Sequence, residues 1–268
     1  MKIVGLPTLS DNYTWVLLDD NPEHHQAWVV DPGQAKPVID YLHAHRKTLA
    51  GILLTHHHWD HTNGISELRH QYGDVSIVSQ AQGPFKPVTF PVTEGDEIRI
   101  HDKTFTVLAT PGHTHEHLSF YHPEILFCGD VLFTGGCGKT WTQPASVMAQ
   151  SLLKLRDLPD DCAVYCGHEY TYANLNFARI AEPDNPEIAE RLAQVKLATQ
   201  KGNPCVPAPL GLEKRTNPFL RFDRSPLKHI LIARSGQPTL SDAEAYAHLR
   251  AWKDTLDATG TLEAGLYD

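Results

Sequence analysis

The segment THHHWDH (55–61) constrains this chain more than any other feature of its sequence. It directly follows the apolar run GILLT (51–55), which is typical of a buried strand. Side chains of an extended segment alternate between two sides, so the first and third histidines can reach one ion while His57 points away. The remaining acid and histidine lie beyond the strand, where they can serve a second ion. The segment predicts a metal site at a strand end, with four potential ligands: His56, His58, Asp60 and His61.

Three more potential ligands occur singly, each in a glycine-containing turn after a strand-like run. They are His113 in TPGHTHEH, Asp130 in FCGD and His168 in YCGHEY. Glycine permits the sharp turns that such positions need. Five imidazoles and two carboxylates are enough donors for two divalent ions that share Asp130 and a water molecule. Nitrogen and oxygen donors without thiolate favour Zn²⁺, with Fe or Mn as alternatives.

Strand-like and helix-like runs alternate as far as about residue 170, which predicts a mixed α/β domain built around large sheets. The helical spacing of PVIDYLHAHR (37–46) predicts a helix between two of the strands. Besides GILLT, the strand-like runs are AWVV (27–30), VSIVS (75–79), DEIRI (96–100), TFTVLAT (104–110), LSFYH (118–122) and ILFCGDVLF (125–133).

Helical signals dominate the rest of the chain, which predicts a catalytic α/β domain over residues 1–170 and a mainly helical domain over 171–268. In residues 185–202, Asn185 is a helix cap, Pro186 a first helical residue and Gly202 a stop.

Two further C-terminal segments carry local signals. Ser241 and Glu244 have capping-box spacing and predict a helix that runs to about Leu256. The Pro-rich segment PCVPAPLGLEKRTNPF (204–219) predicts an extended connection on the surface.

The bulk composition limits the function classes and the compartment. A formal net charge of -9 disfavours a surface for nucleic acid, because phosphate contacts need surplus Lys and Arg. The N-terminus lacks the layout of a secretory signal, and no run approaches the ~20 apolar residues that cross a bilayer. Five cysteines without CxxC spacing indicate reduced thiols. We therefore expect a cytoplasmic monomer that acts on a small molecule, away from membranes.

The pattern HxHxDH followed by separated His, Asp and His resembles the signature of the metallo-β-lactamase superfamily, over roughly residues 1–170. This resemblance implies an αββα sandwich with a dinuclear metal site at one edge of its two sheets. It implies that the first ion is held by His56, His58 and His113, that the second is held by Asp60, His61 and His168, and that Asp130 bridges them. Asp31, in the turn after AWVV, either orients a ligand histidine or shapes the turn.

Three other segments resemble glyoxalase II, the hydroxyacylglutathione hydrolase family. GHEYT (167–171) and GGCGK (135–139) match stretches whose tyrosine and lysine bind glutathione, which implies roles for Tyr170 and Lys139. RAWKD (250–254) matches a motif whose cations bind the glycine carboxylate of glutathione. Those cations are Arg250 and Lys253, and their spacing independently places both on one helix face. Trp141 stands where the family usually has a tyrosine, so it keeps an aromatic surface but loses a hydroxyl contact.

The resemblance implies hydrolysis of S-D-lactoylglutathione to D-lactate and glutathione, a step in methylglyoxal detoxification. Hydroxide shared by the two ions would attack the thioester, and Asp60 and Asp130 would be catalytic through it. The thiol has a pKa near ~8.5, so it can leave without a proton donor. One alternative is a glutathione persulfide dioxygenase with a single iron, and the complete set of second-ion ligands disfavours it. Another is a non-catalytic protein that binds glutathione conjugates.

Overall fold

The computed structural model describes residues 1–263, which fall into two compact units. The first unit comprises Met1–Thr110, Glu116–Gly129 and Tyr165–His168. The second comprises Pro111–His115, Asp130–Val164 and the chain from Glu169 onward. The division at residue 170 that the sequence indicates stays a prediction.

The first unit contains a six-stranded sheet whose strands lie side by side in chain order. Its first three strands are antiparallel, and the third to the sixth are parallel. The predicted strands AWVV, GILLT and VSIVS are confirmed as the third, fourth and fifth. The strands are β1 (Lys2–Thr8), β2 (Asn12–Leu18), β3 (Gln26–Val30), β4 (Thr48–Leu53), β5 (Ser76–Gln80) and β6 (Phe90–Val92).

Helices α1 (Ala35–Ala44) and α3 (Ile65–Tyr72) contribute to the same apolar core as this sheet. In α1, Val38 and Leu42 are spaced by one helical turn, and both are fully buried against this core. Parallel strands with both faces covered read as continuous apolar runs, as GILLT does. The helix predicted over 37–46 is confirmed, and both of its ends lie two residues earlier in the chain.

A second sheet in the first unit is formed by short antiparallel strands, which confirms the predicted strands DEIRI, TFTVLAT and LSFYH, and confirms ILFCGDVLF over its first five residues. Its strands are β7 (Glu97–Ile100), β8 (Lys103–Ala109), β9 (Leu118–His122) and β10 (Ile125–Gly129). The last residues of β13 (Ala163–Cys166) also belong to this unit. Since β4, β8, β10 and β13 each end shortly before a predicted ligand, the sheets present those ligands on loops held by rigid strands.

The second unit is mainly helical, as the sequence predicts for the C-terminal region. It has a short hairpin of β11 (Leu132–Phe133) and β12 (Gly136–Cys137), and β14 (Ala208–Pro209) pairs with the first residues of β13. Its helices are α4 (Ala145–Arg156), α5 (Thr171–Ala181), α6 (Pro186–Gln200), α7 (Leu210–Thr216), a 3-10 turn (Pro218–Leu220), α8 (Leu227–Ser235) and α9 (Asp242–Asp257).

Both predicted helix caps are confirmed. The Asn185 side chain accepts a hydrogen bond from the Glu187 backbone N–H at 3.1 Å, and Gly202 has a φ of 70° just after α6. Ser241 and Glu244 form a reciprocal capping box at the start of α9. Helix α9, which carries the RAWKD motif, therefore begins at a position fixed by its own sequence.

The prediction of an extended surface connection over 204–219 is wrong. This segment contains β14, α7 and the 3-10 turn, and both Leu210 and Phe219 are fully buried. Proline is tolerated before and at the first residue of a helix, so Pro209 and Pro218 begin helical turns here instead of excluding them. Burial in the second unit decides the conformation of residues 204–219, and the local composition does not reveal this burial.

Candidate metal centre

The loop before α2 (Trp59–Thr62) carries the first group of predicted ligands, and the turn after β3 holds it in place. Thr55 donates from its backbone N–H to Asp31 Oδ1 at 2.8 Å and from its hydroxyl to Oδ2 at 2.6 Å. A side chain at Gly33 would lie 1.9 Å from the carbonyl oxygen of Asp60, so only glycine allows this approach. The turn at 31–33 thus fixes the loop near both ends of the cluster.

His56 and His58 lie together within the first unit. Their Nε2 and Nδ1 atoms are 3.1 Å apart, although neither residue belongs to a regular strand. The His56 ring is 1% exposed, and its Nδ1 lies 3.0 Å from the Thr55 hydroxyl. A buried imidazole held through one nitrogen can direct the other nitrogen at a ligand.

Asp60, His61 and His168 form a second group in the first unit. One donor atom from each lies within 4.8 Å of the other two. Asp60 Oδ2 is 3.4 Å from His61 Nε2 and 3.3 Å from His168 Nε2. Residues from α2 and from the end of β13 therefore meet around one carboxylate oxygen.

The carboxylate of Asp60 is held in its charged form. Burial raises its pKa, but hydrogen bonds from His168, His61 and Asn12, with the charge of His61, outweigh burial and hold the pKa well below its usual range. Asn12 Nδ2 donates to Asp60 Oδ2 at 3.0 Å. A carboxylate that stays ionised at neutral pH suits a cation ligand better than a proton carrier.

Two aspartates contact the Nδ1 atoms of the two histidines in this group. Asp31 Oδ2 lies 3.0 Å from His61 Nδ1, and Asp11 Oδ1 lies 2.8 Å from His168 Nδ1. The sequence indicated the first contact as one of two readings, but it did not indicate Asp11. The signal for Asp11 is weak, because it lies in a polar turn more than 150 residues from its partner.

The His57 side chain is directed at a carboxylate, although its ring also lies edge-on to the His58 ring, with 5.0 Å between centroids. Its Nδ1 and its backbone N–H both contact the buried Glu116 carboxylate, the latter at 3.2 Å. Glu116 therefore anchors the loop between His56 and His58, a role that sequence reasoning missed.

The second unit contributes His113 and Asp130, which the structure brings close to each other. His113 Nε2 lies 3.5 Å from Asp130 Oδ2, and His113 Nδ1 donates to the carbonyl of Lys139 at 2.9 Å. A side chain at Gly138 would lie 1.9 Å from the Asp130 carbonyl oxygen. The glycines of GGCGK therefore let this loop pass directly beside Asp130 and hold the His113 ring.

Arg250 and Lys253 lie on one face of α9, as predicted, but they are buried and not solvated. They are 5% and 6% exposed. Arg250 Nη1 donates to the Cys137 carbonyl at 3.2 Å, two residues before Lys139. Burial and the charge of Arg250 lower the pKa of Lys253, while its bond with Asp257 opposes this effect. The three predicted anion-binding cations thus belong to the loop 135–139 and to the helix that packs on it.

The two predicted aromatic contacts are exposed. Trp141 is 65% exposed, and Lys139 Nζ lies 5.9 Å from its ring centroid. Tyr170, just before α5, packs edge-on against Phe133 with 5.3 Å between ring centroids. Lys139 and Trp141 thus place a cation beside a large exposed aromatic ring, a combination found on ligand-binding surfaces.

The donor set fits divalent cations. It consists of imidazole nitrogens and carboxylate oxygens, which suit Zn, Fe and Mn, and it contains no thiolate. Within residues 1–263, no helix combines the length and the apolarity that a membrane crossing requires.

Two family models match consecutive parts of the chain, which together cover residues 14–256. Residues 14–168 match the metallo-beta-lactamase superfamily, and residues 169–256 match the hydroxyacylglutathione hydrolase C-terminus. These matches confirm the resemblance seen in THHHWDH and extend it over the C-terminal helices.

Individual relatives agree with these matches. The chain is 63% identical to a hydroxyacylglutathione hydrolase from Hydrogenovibrio crunogenus over 100% of both chains. It is 41% identical to one from Pseudoalteromonas translucida, over 95% of this chain and 99% of the relative. The crystal structure of ETHE1 from Myxococcus xanthus matches with a TM-score of 0.63 at 27% identity, over 95% of this chain and 99% of that one. The chain has the metallo-β-lactamase fold with a helical C-terminal region, and it belongs to the hydroxyacylglutathione hydrolase family.

Proposed function

We propose that this protein is a hydrolase that cleaves the thioester of S-D-lactoylglutathione, yielding D-lactate and glutathione. The observation that carries the proposal is the 63% identity, over the full length of both chains, to a hydroxyacylglutathione hydrolase. This degree of identity matters because the metallo-β-lactamase fold by itself does not identify a substrate.

Seven side chains are the proposed metal ligands. His56, His58 and His113 would hold one divalent ion, Asp60, His61 and His168 a second, and Asp130 both. Zinc suits this nitrogen and oxygen donor set, with iron or manganese as alternatives. Bound cations would supply Lewis-acid activation of water and of the thioester carbonyl. The grouping of Asp60, His61 and His168 donors within 4.8 Å supports the assignment of the second set.

The protein's own groups prepare the ligands for this role. Asp11 and Asp31 accept from the Nδ1 atoms of His168 and His61, which orients each ring with its Nε2 toward Asp60. Water adds to the thioester carbon and loses a proton to solvent, the C–S bond breaks, and glutathione leaves as a thiolate. A thiol pKa near ~8.5 makes that leaving group stable enough to depart without an acid.

Glutathione recognition is assigned to the second unit. Lys139, Arg250 and Lys253 would face its carboxylates, and Tyr170 and Trp141 would contact its peptide. Local cations are needed because the whole chain carries a net charge of -9. Binding energy from this remote group can position the thioester for attack.

We also propose a cytoplasmic location and a monomeric state without nucleic-acid partners. All five cysteines are thiols outside any disulfide, which agrees with a reducing compartment.

The test is hydrolysis of S-D-lactoylglutathione by purified protein, followed by loss of thioester absorbance, with metal content measured on the same sample. We expect turnover with two metal ions per chain. Negligible turnover by fully metallated protein would reject the proposal, and a single bound iron would favour persulfide oxidation instead.

A matched pair of double variants tests the recognition site. Arg250→Ala with Lys253→Ala should raise KM far more than it lowers kcat. Lys201→Ala with Arg215→Ala removes the same charges from exposed positions elsewhere and should leave both constants unchanged. Thermal unfolding of each variant shows whether α9 still packs.

A further inference from the structure

The last two turns of α9 hold two cations and two carboxylates in one cluster. Both oxygens of Asp257 accept from Lys253 Nζ, at 2.9 and 3.0 Å, and Oδ2 also accepts from Arg250 Nη2 at 3.1 Å. Asp254 contacts the same guanidinium, with Oδ1 3.0 Å from Arg250 Nε and 2.8 Å from Nη2. One carboxylate therefore joins the two cations assigned above to substrate recognition.

Asp257 is an unfavourable residue for its position in the helix. It is the last residue of α9, where the exposed carbonyls give the helix a partial negative charge that disfavours carboxylates. The two cations offset this effect, because each is buried and lacks solvent to stabilise its charge. The pairing explains the acid at this position, whereas helix formation does not.

The cluster also shows what kind of group the two cations bind. Arg250 and Lys253 together bind a single carboxylate through both of its oxygens. The Asp257 side chain is 24% exposed, more than either cation. A second carboxylate that arrives from solvent meets Asp257 already occupying these donors.

We propose that Asp257 is an internal competitor for the terminal carboxylate of glutathione, occupying Arg250 and Lys253 until the substrate displaces it. This inference rests on the proposed function, because it assigns the competing ligand to the same site. Displacement breaks ion pairs with Asp257 and forms equivalent ones with the ligand. Only a ligand that carries a carboxylate can re-form the ion pairs that are broken when Asp257 is displaced. Asp257 therefore makes the site selective for carboxylates, while it weakens the affinity of the site for them.

The test compares binding of S-methylglutathione, a thioether that cannot be hydrolysed, with binding of its glycinamide form, which lacks the terminal carboxylate. Affinities are measured by calorimetry on metal-loaded full-length protein. Asp257→Asn keeps the side-chain size and removes the charge. The control Asp242→Asn removes an acid paired with Lys228 at the other end of α9, about 22 Å away along the helix axis.

We expect Asp257→Asn to bind S-methylglutathione about threefold to tenfold more tightly than the wild-type protein. The glycinamide should bind both proteins equally, and Asp242→Asn should behave like the wild type. Weaker binding by Asp257→Asn would overturn the proposal, since it would mean that Asp257 holds the cations in place for the substrate. Equal gains in affinity for S-methylglutathione and for its glycinamide form would also overturn the proposal, because Asp257 would then act only through the net charge of the protein.

Turnover of S-D-lactoylglutathione by the same proteins separates this inference from the proposed function. Turnover without tighter binding by Asp257→Asn would reject only the competitor role. Tighter binding without turnover would support the competitor role and reject the hydrolase. Absence of S-methylglutathione binding by every protein would overturn the competitor role directly.

Discussion

His168 Nδ1 lies 2.8 Å from Asp11 Oδ1, while His168 Nε2 faces Asp60 Oδ2 at 3.3 Å. His61 repeats this arrangement, with Nδ1 at 3.0 Å from Asp31 Oδ2 and Nε2 at 3.4 Å from Asp60 Oδ2. In both rings the carboxylate at Nδ1 holds the ring so that Nε2 is directed at Asp60, the orientation in which a bound cation would meet both groups. The site is therefore prepared for a cation by aspartates that are not themselves among the proposed ligands.

Asp11→Ala should weaken metal binding at the second set of ligands. The His168 ring loses the group that fixes its tautomer and orientation, and such a loss lowers metal affinity by about 10-fold to 100-fold. Competition with a chromophoric chelator measures the affinity directly. Asp40→Ala, which removes an exposed acid paired with Lys36, is the control. Unchanged affinity in Asp11→Ala would show that the contact with His168 has no orienting role.

Asp31→Asn should destabilise the metal-free protein. Asp31 accepts from the Thr55 backbone, from the Thr55 hydroxyl and from His61, and an amide has only one oxygen for these three donors. Asparagine tolerates the left-handed φ of 52° at this position, so the backbone remains unstrained. A buried donor left without its acceptor costs about 1–3 kcal/mol. Urea unfolding of the variant and wild type would contradict the idea if their free energies of unfolding agree.

Features that depend on neighbours in the chain could be predicted from the sequence. The caps at Asn185 and Ser241 act on residues two or three positions away, and the local pattern suffices to place both helices. THHHWDH likewise concentrates its donors within one loop. The close spacing of Lys253 and Asp257 on a helix was also a local signal for their ion pair, although sequence reasoning did not use it.

Features that depend on distant residues could not be predicted. Glu213 accepts from the backbone N–H of Gly135 at 2.7 Å across 78 positions, and nothing near either residue indicates the other. The same holds for residues 204–219, where burial of α7 decides a conformation that prolines alone would leave extended. Sequence reasoning thus indicated the loops that carry the proposed ligands, but it did not indicate the contacts of Asp11 with His168 or of Glu116 with His57.

Glu213→Gln should be among the more destabilising single changes in the second unit. Glu213 is fully buried and forms an ion pair with the buried Arg191, and its other oxygen accepts from Gly135 and from Asn217. Removing one member of a buried pair costs about 3–5 kcal/mol, because the remaining charge is left uncompensated. The double variant with Arg191→Met should lose much less free energy of unfolding than the two single variants lose together. A denaturation cycle that gives additive losses would contradict coupling between the two side chains.

Asp223 should contribute to the loss of stability in acid. Burial raises its pKa, but two hydrogen bonds from Arg156, at 2.6 and 2.9 Å, and the charge of Arg156 outweigh burial and hold the pKa below the ordinary value of 3.8. The unfolded chain therefore binds this proton first, so the stabilisation is complete above 3.8 and disappears as pH falls through the folded-state pKa. Asp223→Asn should be less stable than wild type at about pH 6 and lose less stability on acidification to about pH 3. Urea unfolding of metal-free protein at both pH values measures this difference, with exposed Asp161→Asn as control. Equal acid losses in wild type and Asp223→Asn would show that the ion pair with Arg156 does not set this part of the pH dependence.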